Sequence, residues 1–156
     1  MPDIPSARFE AALETARAWA TPPPSPTIEL IQNLVQAYAL FADAGREEDM
    51  AALFTPSAEW DGQSLGYGTA AGPADIAAVV CGHFRIGEPM MHLPGPALLT
   101  AISDTVVHGT SWCMATRWAE GRTRPVIYFY YEDVFQQKDD GTWRFHRRRL
   151  HAAFPG

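Results

Sequence analysis

Lysine is almost missing from this chain of 156 residues. Lys138 is the only one, and the rest of the basic charge is arginine. Positive charge is short overall, with 12 basic against 18 acidic residues and a net charge of −6. That balance excludes the basic surface a nucleic-acid partner requires and gives no pull toward an anionic membrane. Cysteine is scarce too. Cys81 and Cys113 cannot build a disulfide framework, and no histidine pattern beside them makes a zinc site. They read as small buried hydrophobes in a reducing compartment. No apolar run approaches the ~18–20 residues of a membrane span. The first twenty residues carry Asp3, Arg8, Glu10, Glu14 and Arg17, unlike a secretory signal. Glycine-rich phosphate loops, HExxH and CxxC are also lacking. The expectation is a cytoplasmic protein that needs no cofactor and no metal.

What is present is apolar material. Hydrophobic residues make up 47% of the chain, enough for the core of one ordinary domain. Residues 6–20 suit a helix capped by Ser6, and TPPPSP (21–26) then breaks it with a short, stiff, extended linker. The chain therefore divides into an arm and linker, 1–26, and a body, 27–156. The arm either lies on its own domain or reaches over a neighbouring subunit. The body opens on IELIQNLVQAYALFAD (28–43), a helix whose second half is apolar all round. Such a helix is expected to be buried there. It ends on an acid, Asp43, at the end of the helix dipole that disfavours a carboxylate. Gly45 is a natural left-handed stop.

A short helix is expected over 46–54, a brief strand over 57–61, and a loop or loose hairpin over the glycine-bearing 62–72. A third helix is expected over 73–84 and an irregular stretch, holding His92, over 85–96. From Ala97 the composition turns to β-branched and aromatic residues. Strands are expected at 97–109, 110–120, 125–137 and 142–152, with turns at His108-Gly109, Glu120-Gly121-Arg122 and Asp139-Asp140-Gly141. The plan is α+β: a cone-shaped, curved antiparallel sheet with the N-terminal helices packed on its concave face. Such a cone encloses an apolar cavity suited to a small hydrophobic ligand. An open curved sheet also exposes a face that a homo-oligomer, dimer or trimer, would cover.

Several features follow one another in a characteristic sequence. They are the helix end YALFADAG, then AALFTPSAEWDG, the helix start GPADIAAV, an isolated His92, and the closing YEDVFQQKDDGTWRFHRR. Together they resemble the SnoaL-like branch of the nuclear transport factor 2-like superfamily over roughly 27–152. That group contains polyketide cyclases, dehydratases and a dehydrochlorinase. The resemblance implies that His92 is a general base and that Asp43 orients it and supports its charged form. It implies a helper role for Tyr38, five residues before Asp43, whose phenol polarises a carbonyl or assists a leaving hydroxyl. It implies that Trp60 lines the cavity and that Arg148 binds substrate or a leaving anion. Strand alternation groups Arg148 with Arg144, His146 and Leu150, and neither face is cleanly apolar, so alternation leaves the inward arginine open. His108 is a weaker candidate for a second cavity histidine. His83, His146 and His151 read as structural. The dehydrochlorinase has a lysine where this chain has Tyr38, which turns the expectation toward dehydration, isomerisation or cyclisation. The function expected is therefore a cofactor-free lyase or isomerase for a small hydrophobic, polycyclic or polyketide-type substrate. The alternative is a binding or subunit-interaction module without catalysis on the same fold.

Overall fold

The computed structural model describes residues 25–154. The helix expected at 6–20 and most of the proline linker lie outside the described residues. Helix α1 (Ser25–Asp43) places Ile31, Leu34, Val35, Tyr38 and Ala42 three and four residues apart on one face. That face is buried in a core with Phe54, Phe129, Tyr131, Phe135 and Phe145. Burial all round the second half of the helix is not observed, since Leu40 is 65% exposed. A helix laid on a sheet buries one stripe and leaves its back to solvent. Gly45, at φ +63°, turns the chain out of the helix. The amides of Ala44, Gly45 and Arg46 then donate to the carbonyls of Leu40, Ala42 and Phe41.

Helix α2 (Glu47–Ala51) is shorter than expected, and β1 (Phe54–Asp61) begins correspondingly earlier. A 3₁₀ turn (Gln63–Leu65) leads to β2 (Thr69–Ala71), which forms a hairpin with β1. The third expected helix is two, α3 (Pro73–Val80) and α4 (Gly82–Arg85). Six strands follow: β3 (Met90–Pro94), β4 (Leu98–Ser103), β5 (Val106–Ala119), β6 (Arg122–Thr123), β7 (Ile127–Gln137) and β8 (Trp143–Ala152). They form a curved sheet ordered β2-β1-β8-β7-β5-β3, with β4 and β6 also on β5. Every pairing is antiparallel except β1 with β8. The helices precede most of the sheet and pack on its concave side.

Three local expectations need correction. His92 is not in an irregular stretch but in β3, opposite Ala115 of β5. The turn before β5 falls at Asp104-Thr105, not His108-Gly109. Gly109 lies inside β5, where a Cβ would sit 2.8 Å from the Phe135 ring and 2.9 Å from Leu99. Close packing, not a turn, explains that glycine. In β8 the register slips between Phe145, paired with Phe135, and Arg147, paired with Val134. This β-bulge at His146 switches the alternation. Trp143 and Phe145 point inward before it, and Arg148 and Leu150 after it. An uninterrupted period of two cannot place these four residues on one face.

Candidate active site

Helix α1 fixes the edge of the sheet through two polar side chains. Gln32 donates from Nε2 to the Ala97 carbonyl at 2.9 Å, and its Oε1 accepts the Ala97 amide at 3.0 Å. Asp43 takes the backbone N–H of His92 on Oδ2 at 2.9 Å and the ring Nδ1 of His92 on Oδ1 at 2.6 Å. Eleven residues of helix turn through just over three full revolutions, so positions 32 and 43 share a face about 16 Å apart. His92 lies in β3, and Ala97 lies three residues past the end of that strand at Pro94. The helix therefore holds the free edge of β3 at His92 and the chain beyond that strand at Ala97, and so fixes the place of His92. A carboxylate only accepts, so Nδ1 carries a proton, and in the neutral ring Nε2 presents a lone pair. The His92 and Asp43 side chains are 11% and 23% exposed.

His92 lies on the wall of an apolar cavity of about 40 Å³. Tyr38, Trp60, Phe129, Tyr131 and Leu150 supply its buried lining, and Leu65, Tyr67, Val79, Val80, His83 and Met90 its less buried side. Trp60 Nε1 donates to the Tyr38 hydroxyl at 3.0 Å. Tyr38 is held edge-on by the rings of Phe54, Tyr131 and Phe145. Burial pushes the Tyr38 phenol up to about 12, against the opposing pull of Arg148 and the Trp60 hydrogen bond. It is thus a neutral donor at neutral pH, and no described side chain accepts its proton. The expected Asp43, His92, Tyr38 and Trp60 are brought to one place.

Arg148 is not. It is fully buried, donates to Asp133 from Nε at 2.8 Å and from Nη2 at 2.7 Å, and is not among the residues lining the cavity. Its guanidinium stacks on the rings of Tyr131, Tyr38 and Phe145 at 3.7, 4.2 and 4.2 Å. Burial opposes its charge, but Asp133 outweighs that and raises its pKa above the ordinary value. The arginine is a platform under Tyr38 and Tyr131. Asp133 was missed in the sequence; its place opposite Arg148 follows from a register that only the folded hairpin defines. Tyr67 and His83 were also missed as cavity residues. His108 is exposed, outside the cavity. His146 hydrogen-bonds Thr55, and His151 bonds Glu132 and stacks on Tyr130. Among the described residues, no group of three His, Cys, Asp or Glu side chains could hold a metal ion. No helix among them is long and apolar enough to cross a membrane.

A helix-lined cone of curved sheet with a carboxylate-bonded histidine on its cavity wall defines a class of small-molecule-sized pocket proteins. Residues 25–149 match the family model of the SnoaL-like domain, and the chain belongs to that family. The search of curated proteins returned no match. Solved structures share the fold. A scytalone dehydratase-like protein from Novosphingobium aromaticivorans is 24% identical, with 82% of this chain and 85% of that one covered and a TM-score of 0.69. The hexachlorocyclohexane dehydrochlorinase LinA-type3 from Novosphingobium barchaimii is 20% identical, with coverage of 83% and 88% and a TM-score of 0.71. An NTF2-like protein with a cystatin-like fold, from Novosphingobium aromaticivorans, is 23% identical, with coverage of 100% and 94% and a TM-score of 0.70.

Proposed function

We propose that the protein is a cofactor-free lyase or isomerase of the dehydratase type, acting on a small hydrophobic molecule that carries an oxygen function. The observation that carries this reading is the Asp43–His92 pair at 2.6 Å on the wall of an apolar cavity. In this mechanism Nε2 of His92 takes the proton next to an activating group. Asp43 stabilises the imidazolium as it forms, and the desolvated site strengthens that interaction. Tyr38, with its oxygen already taken up by the Trp60 donor, directs its own proton to the carbonyl or departing hydroxyl. Arg148 acts behind Tyr38, as a fixed charge and not as a substrate contact. The dehydratase and dehydrochlorinase names among the structural neighbours support the same reaction class. The test is turnover of a panel of β-hydroxy ketones and thioesters, with His92→Ala and Asp43→Asn as controls. Turnover that survives both changes removes the pair from the mechanism, and binding without turnover in the native protein leaves a binding module.

The reading includes a homo-oligomer. Leu93, Met114 and Tyr128 are cross-strand neighbours on the outer face, and Trp112 and Trp118 stand on the same side of β5. All five are 42–55% exposed. Exposed tryptophan, methionine and tyrosine in one patch are the composition of an interface. Met114→Asp with Tyr128→Asp should lower the mass seen by light scattering, and a native protein that is monomeric at tens of micromolar rules this out. A cytoplasmic location belongs to the same reading and is supported by two free, buried thiols.

A further inference from the structure

His83, on α4, lines the same cavity as His92 and Tyr38, and its ring meets that of Tyr67 edge-on at 5.4 Å and 86°. As a structural histidine it is anomalous. His146 and His151 each bond a neighbouring side chain through a ring nitrogen. His83 bonds none among the described residues, and its Nδ1 is sealed from solvent without a partner. A sealed N–H lacking an acceptor is rarer and costlier than a sealed lone pair. The proton therefore belongs on Nε2, the nitrogen left accessible. Protonation of the second nitrogen is held down, first by burial, then by Arg117 and with a smaller push from His92, against Glu88. Glu88 does not bond the ring; it is taken by Arg117 at 2.9 Å.

We propose that His83 is a ligand-binding histidine of this cavity, donating a hydrogen bond from Nε2 to a ketone or hydroxyl oxygen of the bound molecule. The two cavity histidines then have opposite polarity. His92, with Nδ1–H given to Asp43, presents a lone pair. His83, with no carboxylate behind it, presents an N–H. The ligand they fit has an acidic proton or donor on one side and an acceptor oxygen on the other. This deepens the proposed function by naming the group that fixes the substrate's oxygen, and it rests on that reading only in taking the cavity as the substrate site.

The experiment uses the full chain and needs no turnover. Long-range proton–nitrogen NMR of the labelled protein should show His83 as the Nε2–H tautomer. Cyclohexanone should shift that signal, and methylenecyclohexane, of the same shape but without the oxygen, should not. His83→Phe should weaken cyclohexanone binding about 5-fold, the weight of one neutral hydrogen bond, and leave the hydrocarbon unaffected. His83→Gln, which keeps an N–H, should recover most of the difference. The Asp43-bonded Nδ1–H of His92 reports whether each variant is folded. An Nδ1–H tautomer at His83, equal losses for both probes, or a native protein that binds neither overturns the proposal. Ketone binding through His83 without any turnover would remove the lyase reading and keep this one. Turnover indifferent to His83→Phe would do the reverse.

Discussion

Replacing Asp43 by asparagine changes one atom and reverses the protonation of the site. Both carboxylate oxygens are in use, Oδ1 by the His92 ring and Oδ2 by the His92 backbone amide. Asparagine has a single acceptor. Its oxygen satisfies the backbone N–H, and its NH₂ then faces Nδ1 and can only donate. His92 must therefore move its proton to Nε2, and the lone pair aimed at the cavity is lost. In a serine-protease triad the same acid-to-amide change lowers turnover about 10⁴-fold through the wrong tautomer. For a general base without a nucleophile behind it, about 10²–10⁴-fold is expected. Losing the charge-assisted bond should also cost about 1–3 kcal/mol, a fall in Tm of a few degrees at this chain length. The decisive measurement is the His92 tautomer by nitrogen NMR, which requires no substrate. Native protein should show Nδ1–H and the variant Nε2–H. A native Nε2–H signal, or a variant whose tautomer does not change, refutes the reasoning whatever the activity does.

Arg148→Met should destabilise the protein by about 3–5 kcal/mol, because Asp133 is left buried and unpaired. Adding Asp133→Leu should restore most of the loss in thermal or urea unfolding, and a neutral single variant would show that the pair is not sealed as described. Tyr38 has a folded-state pKa of about 12 against 10.0 unfolded, raised chiefly by burial. Its contribution is intact below pH 10 and is lost as pH rises through the folded-state value, roughly 2–3 kcal/mol in all. Tyr38→Phe should flatten part of the alkaline fall in stability. The rest stays with Tyr131, which burial also raises, and an unchanged alkaline profile would count against a sealed Tyr38.

Much of this architecture is legible in the residues. The stripe of Ile31, Leu34, Val35 and Tyr38 specifies a helix with one buried face, and Gly45 marks where it stops. The turn at Asp139-Asp140-Gly141 and the β-branched runs around it specify the last hairpin, because glycine conformations and side-chain alternation are local physics. The pairing of Asp43 with His92 was expected from a family resemblance and not from spacing, since the two are far apart in the chain. Other features were beyond any local pattern. The bulge at His146 depends on how β7 and β8 meet, and it decides that Arg148 points inward onto Tyr38 and Tyr131. That same inward turn buries it against Asp133 and takes it out of reach of a ligand.

The sequence alone therefore determined an apolar α+β domain, poor in positive charge, whose best helix ends on an acid. Composition and short-range periodicity carry that information, because each residue's backbone preference and hydrophobicity act where it stands. The tertiary structure decided which side chains surround the cavity, that Asp43 holds the β3 edge while Gln32 holds Ala97 beyond it, and that His83 shares the wall with His92. Those facts depend on the match between one face of the helix and the part of the sheet it packs on. Such a match exists only once the elements have been packed against one another.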